Sequence, residues 1–92
     1  MILSFKCKYT EMLFNDIWVK KFSAIEKLAR RKLLILHRSK NLADLNSPPG
    51  NKLELLKGDR NNQYSIRVND QWRICSSWHD NQAYEVEIVD YH

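Results

Sequence analysis

Apolar positions in this 92-residue chain follow two rhythms, one on each side of a break at Ser47, Pro48, Pro49 and Gly50. Ahead of the break the spacing is helical. Met12, Leu13, Phe14 and Ile17 predict a short helix within Lys8–Ile17. Ile25, Leu28, Ala29, Lys32 and Leu36 predict a longer one, with Leu33 and Ile35 widening its apolar face and an end near Arg38. Ser23 and Glu26 have the spacing of a capping box for that helix. Asn41 can cap a further turn through Ala43 and Leu45. The first residues, Ile2 to Phe5, read as a short strand.

Beyond the prolines, which fix φ and discourage helix in the residue before them, the period becomes two. Tyr64, Ile66 and Val68 alternate with Ser65 and Arg67. Trp72 and Ile74 alternate with Arg73 and Cys75, and Tyr84, Val86 and Ile88 with Glu85 and Glu87. These are three half-buried strands, with a shorter one expected near Lys52–Leu56. The order predicts an α+β fold of N-terminal helices packed on a mainly antiparallel β-sheet, whose other face stays partly open.

Register adds a chemical question. With Val68 and Trp72 on the core face, Asn69, Asp70 and Gln71 form a three-residue loop. Ile66 then faces Ile74, and Arg67 lies opposite Arg73 on the other face. Like charges directly opposed destabilise a strand pair. Two explanations stand open: Glu85 or Glu87 on the next strand neutralises Arg73, or the pair holds a phosphate.

Length bounds the answer to one domain, spanning 1–92, because a chain this short buries only roughly 60–65% of its unfolded surface. No apolar run approaches the ~18–20 residues of a membrane span, and MILSFKCK lacks the apolar core of a signal peptide. Cys7 and Cys75, far apart and outside any CxxC, fit free thiols in the cytoplasm. The net charge is +4, unevenly spread. Residues 20–40 carry Lys20, Lys21, Lys27, Arg30, Arg31, Lys32, Arg38 and Lys40 against Glu26, which is +7 and leaves −3 elsewhere. Such a surface suits RNA or an acidic protein partner, or is simply a solvated face.

Most chemistries find no support. His37, His79 and His92 lack metal-ligand spacing. No nucleophile motif surrounds Cys75, and Gly50 and Gly58 make no phosphate loop. Metal-independent RNA cleavage remains. It needs a base for the ribose 2′-OH, an acid for the departing 5′-oxygen, and cations at the phosphate. Glu54, Lys57, Arg60, Arg67, Arg73, Asp90, Tyr91 and His92 offer such groups.

Three stretches, "LLKGDR" (Leu55–Arg60), "YSIRVNDQWRI" (Tyr64–Ile74) and "VEIVDYH" (Val86–His92), together resemble the HigB branch of the RelE/ParE toxin superfamily. The resemblance covers nearly the whole chain. It implies a RelE-like, microbial-RNase-like fold and a type II toxin that cuts mRNA on the ribosome without metal or cofactor. It also implies a HigA-like helix-turn-helix antitoxin, through which the complex acts on its own operator DNA. On it, Lys57 and Arg73 match phosphate-contacting residues, and Asp90, Tyr91 and His92 the polar triplet. His92 would transfer a proton, Tyr91 orient or stack on a base, and Asp90 set the imidazole tautomer or shape the pocket. Glu54 stands where the HigB pattern has histidine; a glutamate can serve as base there. Arg67 is a possible phosphate contact. The basic helix, through Lys27, Arg30, Arg31, Lys32 and Arg38, would grip ribosomal RNA, with Arg60 and Arg67 adding to that surface. Two alternatives are a ParE-like topoisomerase inhibitor and a non-catalytic RNA-binding module.

Overall fold

The computed structural model describes residues 1–60 and 62–90. Two α-helices come first, α1 (Lys8–Phe14) and α2 (Glu26–Arg38), followed by β1 (Glu54–Leu55), β2 (Gln63–Arg67), β3 (Trp72–His79) and β4 (Gln82–Asp90). The strands form one antiparallel sheet in the order β1-β2-β3-β4. The helices cover one face. Leu13, Phe22, Ala29, Leu33 and Leu36 meet Ile66, Val68, Ile74, Val86 and Ile88 in the core. Phe22 stands edge-on to Trp72, with ring centroids 5.5 Å apart, an arrangement aromatic pairs prefer.

The helical segment departs from its sequence reading in two places. α1 stops at Phe14 rather than Ile17, because Asp16 takes a left-handed φ of 66°. Residues Lys20–Ile25 wind as a 3-10 helix, and α2 begins only at Glu26, with no side-chain cap. The expected Ser23 capping box therefore does not form. Glu26 instead reaches forward to Arg30, at 3.5 Å. The expectation at Asn41 holds: its side chain accepts from the Asp44 N–H, and the Asp44 carboxylate accepts from the Asn41 N–H.

The sheet register agrees with the alternation. Ile66 pairs with Ile74 and Arg67 with Arg73. Asn69 fixes the three-residue loop, its Oδ1 accepting from the N–H groups of Gln71 (2.9 Å) and Trp72 (2.8 Å). β4 breaks the pattern. Between Cys75 and Ser77 the partner jumps from Glu87 to Tyr84, so β4 carries one extra residue, and Glu85 has a φ of 55°. This is a β-bulge. It turns Tyr84, expected beside Val86 and Ile88, to the opposite face, and fully buried Ala83 takes the core position. Ile2 and Phe5 form isolated parallel bridges to Ala83 and Val86, so the expected first strand is reduced to two contacts.

Cys7 and Cys75 are both free thiols. Cys75 is fully buried, and burial pushes its thiol above the ordinary cysteine range. Ellman's reagent should therefore modify Cys7 in the native protein and reach Cys75 only after denaturation. Rapid native reaction of both thiols would show that the sheet opens.

Candidate active site

The sheet face turned away from the helices is polar, and Arg73 lies at its centre. Arg73 is 9% exposed. Its Nε donates to Ser65 Oγ (2.8 Å) and its Nη2 to the carbonyls of Lys52 (2.6 Å) and Ser65 (3.4 Å). Glu54, opposite Ser65 across the β1–β2 pair, brings its carboxylate 3.9 Å from Arg73 Nη2 while staying half exposed. A buried cation with fixed donors thus sits beneath a solvent-facing carboxylate. Charge-assisted contacts of this kind hold geometry better than neutral ones.

The segment carrying these groups is fastened from the helical layer. Asn51 is fully buried; it accepts from the Lys32 ammonium and donates to the carbonyls of Leu45 (3.1 Å) and Ser47 (3.2 Å). Lys52 follows in the left-handed region, φ 46°, and its carbonyl receives Arg73. A single line of contacts therefore runs from α2 through residues 51 and 52 to β3. Burial holds the Lys32 pKa below the usual lysine range, with smaller contributions from the Arg31 and Arg67 cations.

The opposed arginines are each satisfied separately. Arg67 pairs with Asp70, and that hydrogen bond holds the Asp70 carboxyl below its ordinary range. The carboxylate described beside Arg73 is Glu54 of β1; Glu85 and Glu87, one of the two explanations left open by the register, do not pair with it among the described contacts. Glu87 is engaged elsewhere, by Arg60 at 2.7 Å and Lys6 at 3.8 Å. Arg60 also donates to Gln63, so it spans the polar face as a strut.

Glu54, Leu55, Leu56 and Lys57 line an open recess at the edge of this face. Lys57 is exposed there. Gly58 follows with φ 69°, a conformation that glycine adopts at little cost. Asp90 ends β4 opposite Trp72 and accepts from Gln71 Nε2 at 3.0 Å. Tyr91 and His92 lie outside the described residues.

The basic helix is less basic outside than the sequence suggests. Lys27, Arg31 and Arg38 are exposed, as expected of an RNA-facing set. Lys32 is 9% exposed and bound to Asn51, so it does not belong to that surface. Its place in the apolar repeat was the better guide. Arg30 turns inward: its Nε donates to the Leu13 carbonyl at 3.0 Å, and its Nη1 lies 3.4 Å from Asp16. Arg30 thus ties α2 to the end of α1. Asn51, Ser65 and the Lys52 carbonyl had no place in the sequence-based site. Alternation alone could have put Ser65 beside Arg73; nothing in the sequence marks the other two.

A family profile for the RelE-like toxin HigB of type II toxin–antitoxin systems matches residues 3–92. The chain is 40% identical over 85 residues to Toxin HigB-1 of Vibrio cholerae serotype O1, covering 90% of each. It is 41% identical over 70 residues to an uncharacterized protein of Haemophilus influenzae, covering 76% of this chain and 69% of that one. Among solved structures, two YoeB-YefM complexes from Staphylococcus aureus contain a similar fold. One is a heterotetrameric toxin–antitoxin complex with TM-score 0.63 at 21% identity, and the other has TM-score 0.58 at 20%. Both alignments cover 100% of this chain and 98% of the other. With helices on a four-stranded antiparallel sheet and a match over nearly its whole length, the chain belongs to the family of HigB-like, RelE-fold toxins of type II toxin–antitoxin systems.

Proposed function

We propose that this toxin is a ribosome-dependent, metal-independent mRNA endoribonuclease neutralised by a HigA-like helix-turn-helix antitoxin. The observation that carries the reading is the half-exposed Glu54 carboxylate beside the immobilised Arg73 guanidinium. Glu54 removes the proton from a ribose 2′-OH. The freed oxygen attacks the adjacent phosphorus, and the P–O5′ bond breaks. His92 returns a proton to the departing 5′-oxygen. The products are a 2′,3′-cyclic phosphate and a 5′-hydroxyl. Arg73 supplies fixed positive charge beneath the phosphate and Lys57 supplies a mobile one. Tyr91 stacks on a base, and Asp90 orients the end of the site.

The openness of this face supports dependence on the ribosome. The recess at residues 54–57 is open to solvent, so these described groups do little to place a 2′-OH in line with its phosphate. Alignment of reacting groups is worth several orders of magnitude in rate, and a message held in the decoding site supplies it. Lys27, Arg31 and Arg38 face outward to contact ribosomal phosphates, and Arg67 contacts the message. Operator DNA is reached through the antitoxin.

Toeprinting of translating ribosomes tests the reading. Wild type should produce breaks within the decoding-site codon, and His92→Ala should reduce them by ~10²-fold or more. An intact message in cells or extracts that the wild-type protein nonetheless arrests would overturn it.

A further inference from the structure

Among the described residues the most exposed large hydrophobic side chain, Trp18, lies in the helical layer. Trp18 is 61% exposed, Ile17 48% and Tyr9 39%. All three lie between the start of α1 and the 3-10 turn before α2. Two grooves adjoin them. One is lined by Trp18, the segment 23–28 and Asn69; the other is lined by Tyr9, Val19, Lys20 and Lys21. Ile17 and Trp18 adjoin in sequence, and Lys21 of the same segment lies over the Tyr9 ring; grouped apolar exposure marks interaction surfaces.

Asp16 and Glu26 beside the patch are both paired with Arg30, which leaves the lysines to favour an acidic occupant. Among the described residues Lys8, Lys20, Lys21 and Lys27 make no ion pair. The ammonium groups of Lys8 and Lys21 each sit 5.2 Å from the Tyr9 ring centroid. They occupy the ring that a nucleobase would need for stacking, yet remain able to receive carboxylates. Ile17 adds exposed aliphatic surface that suits leucine or isoleucine side chains better than a sugar–phosphate chain.

We infer that the face formed by Tyr9, Ile17 and Trp18, with Lys20 and Lys21 at its rim, is the docking surface for an acidic amphipathic segment of the antitoxin. Trp18 is the anchor, and the lysines steer and hold carboxylates. Docking there leaves Glu54 and Arg73 uncovered, so neutralisation works by barring the toxin from the ribosome with added bulk. The inference rests on the toxin reading above.

The test titrates the purified chain with the antitoxin encoded in the same operon by calorimetry. Each variant is also scored alone for arrest of cell-free translation. Trp18→Ala should weaken binding about 30-fold or more, the loss typical of a buried aromatic anchor. Lys20→Glu with Lys21→Glu should weaken it about 10-fold and flatten its salt dependence. Both variants should arrest translation like wild type and keep its melting temperature, because the altered side chains are exposed. Unchanged affinity in Trp18→Ala would overturn the inference. So would lost arrest with intact antitoxin binding, which would make the patch a ribosome-binding surface. A wild-type chain that fails to arrest translation would refute the toxin reading instead, while the affinities would still judge the surface.

Discussion

Replacing Asn51 with leucine should lower the melting temperature by roughly 15–30 °C, which corresponds to a loss of about 3–5 kcal/mol in a domain this small. The two side chains are similar in size, so the cost is not one of shape. Leucine leaves the buried Lys32 ammonium without its acceptor and strips a donor from the carbonyls of Leu45 and Ser47. An uncompensated buried charge is among the most destabilising single changes known. Lys32 also predicts how the loss varies with pH. Its folded pKa lies below the ordinary value of 10.5 because of burial. Between the folded and unfolded pKa values the unfolded chain binds more protons, so stability gains from rising pH in that window. Loss of the Asn51 acceptor destabilises the ammonium and lowers that pKa further, so the deficit of Asn51→Leu should shrink as the pH climbs toward 10.5. Adding Lys32→Met should recover part of the loss but not all, since two carbonyls remain undonated. A melting temperature unchanged by Asn51→Leu would show that α2 does not support the site through this residue.

Glu54→Gln should reduce cleavage of ribosome-bound message by ~10²–10⁴-fold, the range for loss of a proton-transfer group. Stability should hardly change. Glu54 is half exposed and 3.9 Å from Arg73, and such partly solvated pairs are worth at most about 1 kcal/mol. The amide keeps the shape, so a rate loss would report the missing base. Single-turnover cleavage in stalled ribosome complexes, read beside thermal melting, separates the two effects. Glu54→Asp should restore part of the rate. Full activity in Glu54→Gln would reduce this carboxylate to a counter-ion and shift the base role to another group, His92 first among them.

Much of this arrangement was legible because two-residue alternation and helical repeats are strong signals. The pairing of Ile66 with Ile74 follows from alternation once Asn69, Asp70 and Gln71 are assigned to the loop. That pairing brings Arg67 opposite Arg73. The family resemblance singled out Glu54 by its departure from the HigB histidine, but not its partner. β1 is two residues long and gives no alternation to read, so nothing announced that Glu54 would cross to Arg73. The bulge at Glu85 was equally silent, since neither glycine nor asparagine marks it, and it reversed Tyr84. Lys32 shows a conflict of signals: by charge it belonged to the basic surface, by period to the core, and packing decided for the period. Ser23 and Glu26 had capping spacing, but the 3-10 turn before α2 moved the helix start past Ser23.

The outer margin of β4 has a consequence for what can attach to this protein. Along it, the N–H groups of Ala83, Glu85, Val86 and Ile88 donate to the Met1 carbonyl, Ser4 Oγ, the Ser4 carbonyl and Thr10 Oγ1. The carbonyls of Ala83 and Val86 accept from Leu3 and Lys6. The backbone groups that would template an incoming extended peptide are already occupied along this stretch, and the bulge twists it further from a flat template. At the opposite margin β1 offers a two-residue strand. A partner that adds its own strand at β4 would have to displace these contacts, and ribbon-like self-association along that margin meets the same obstacle.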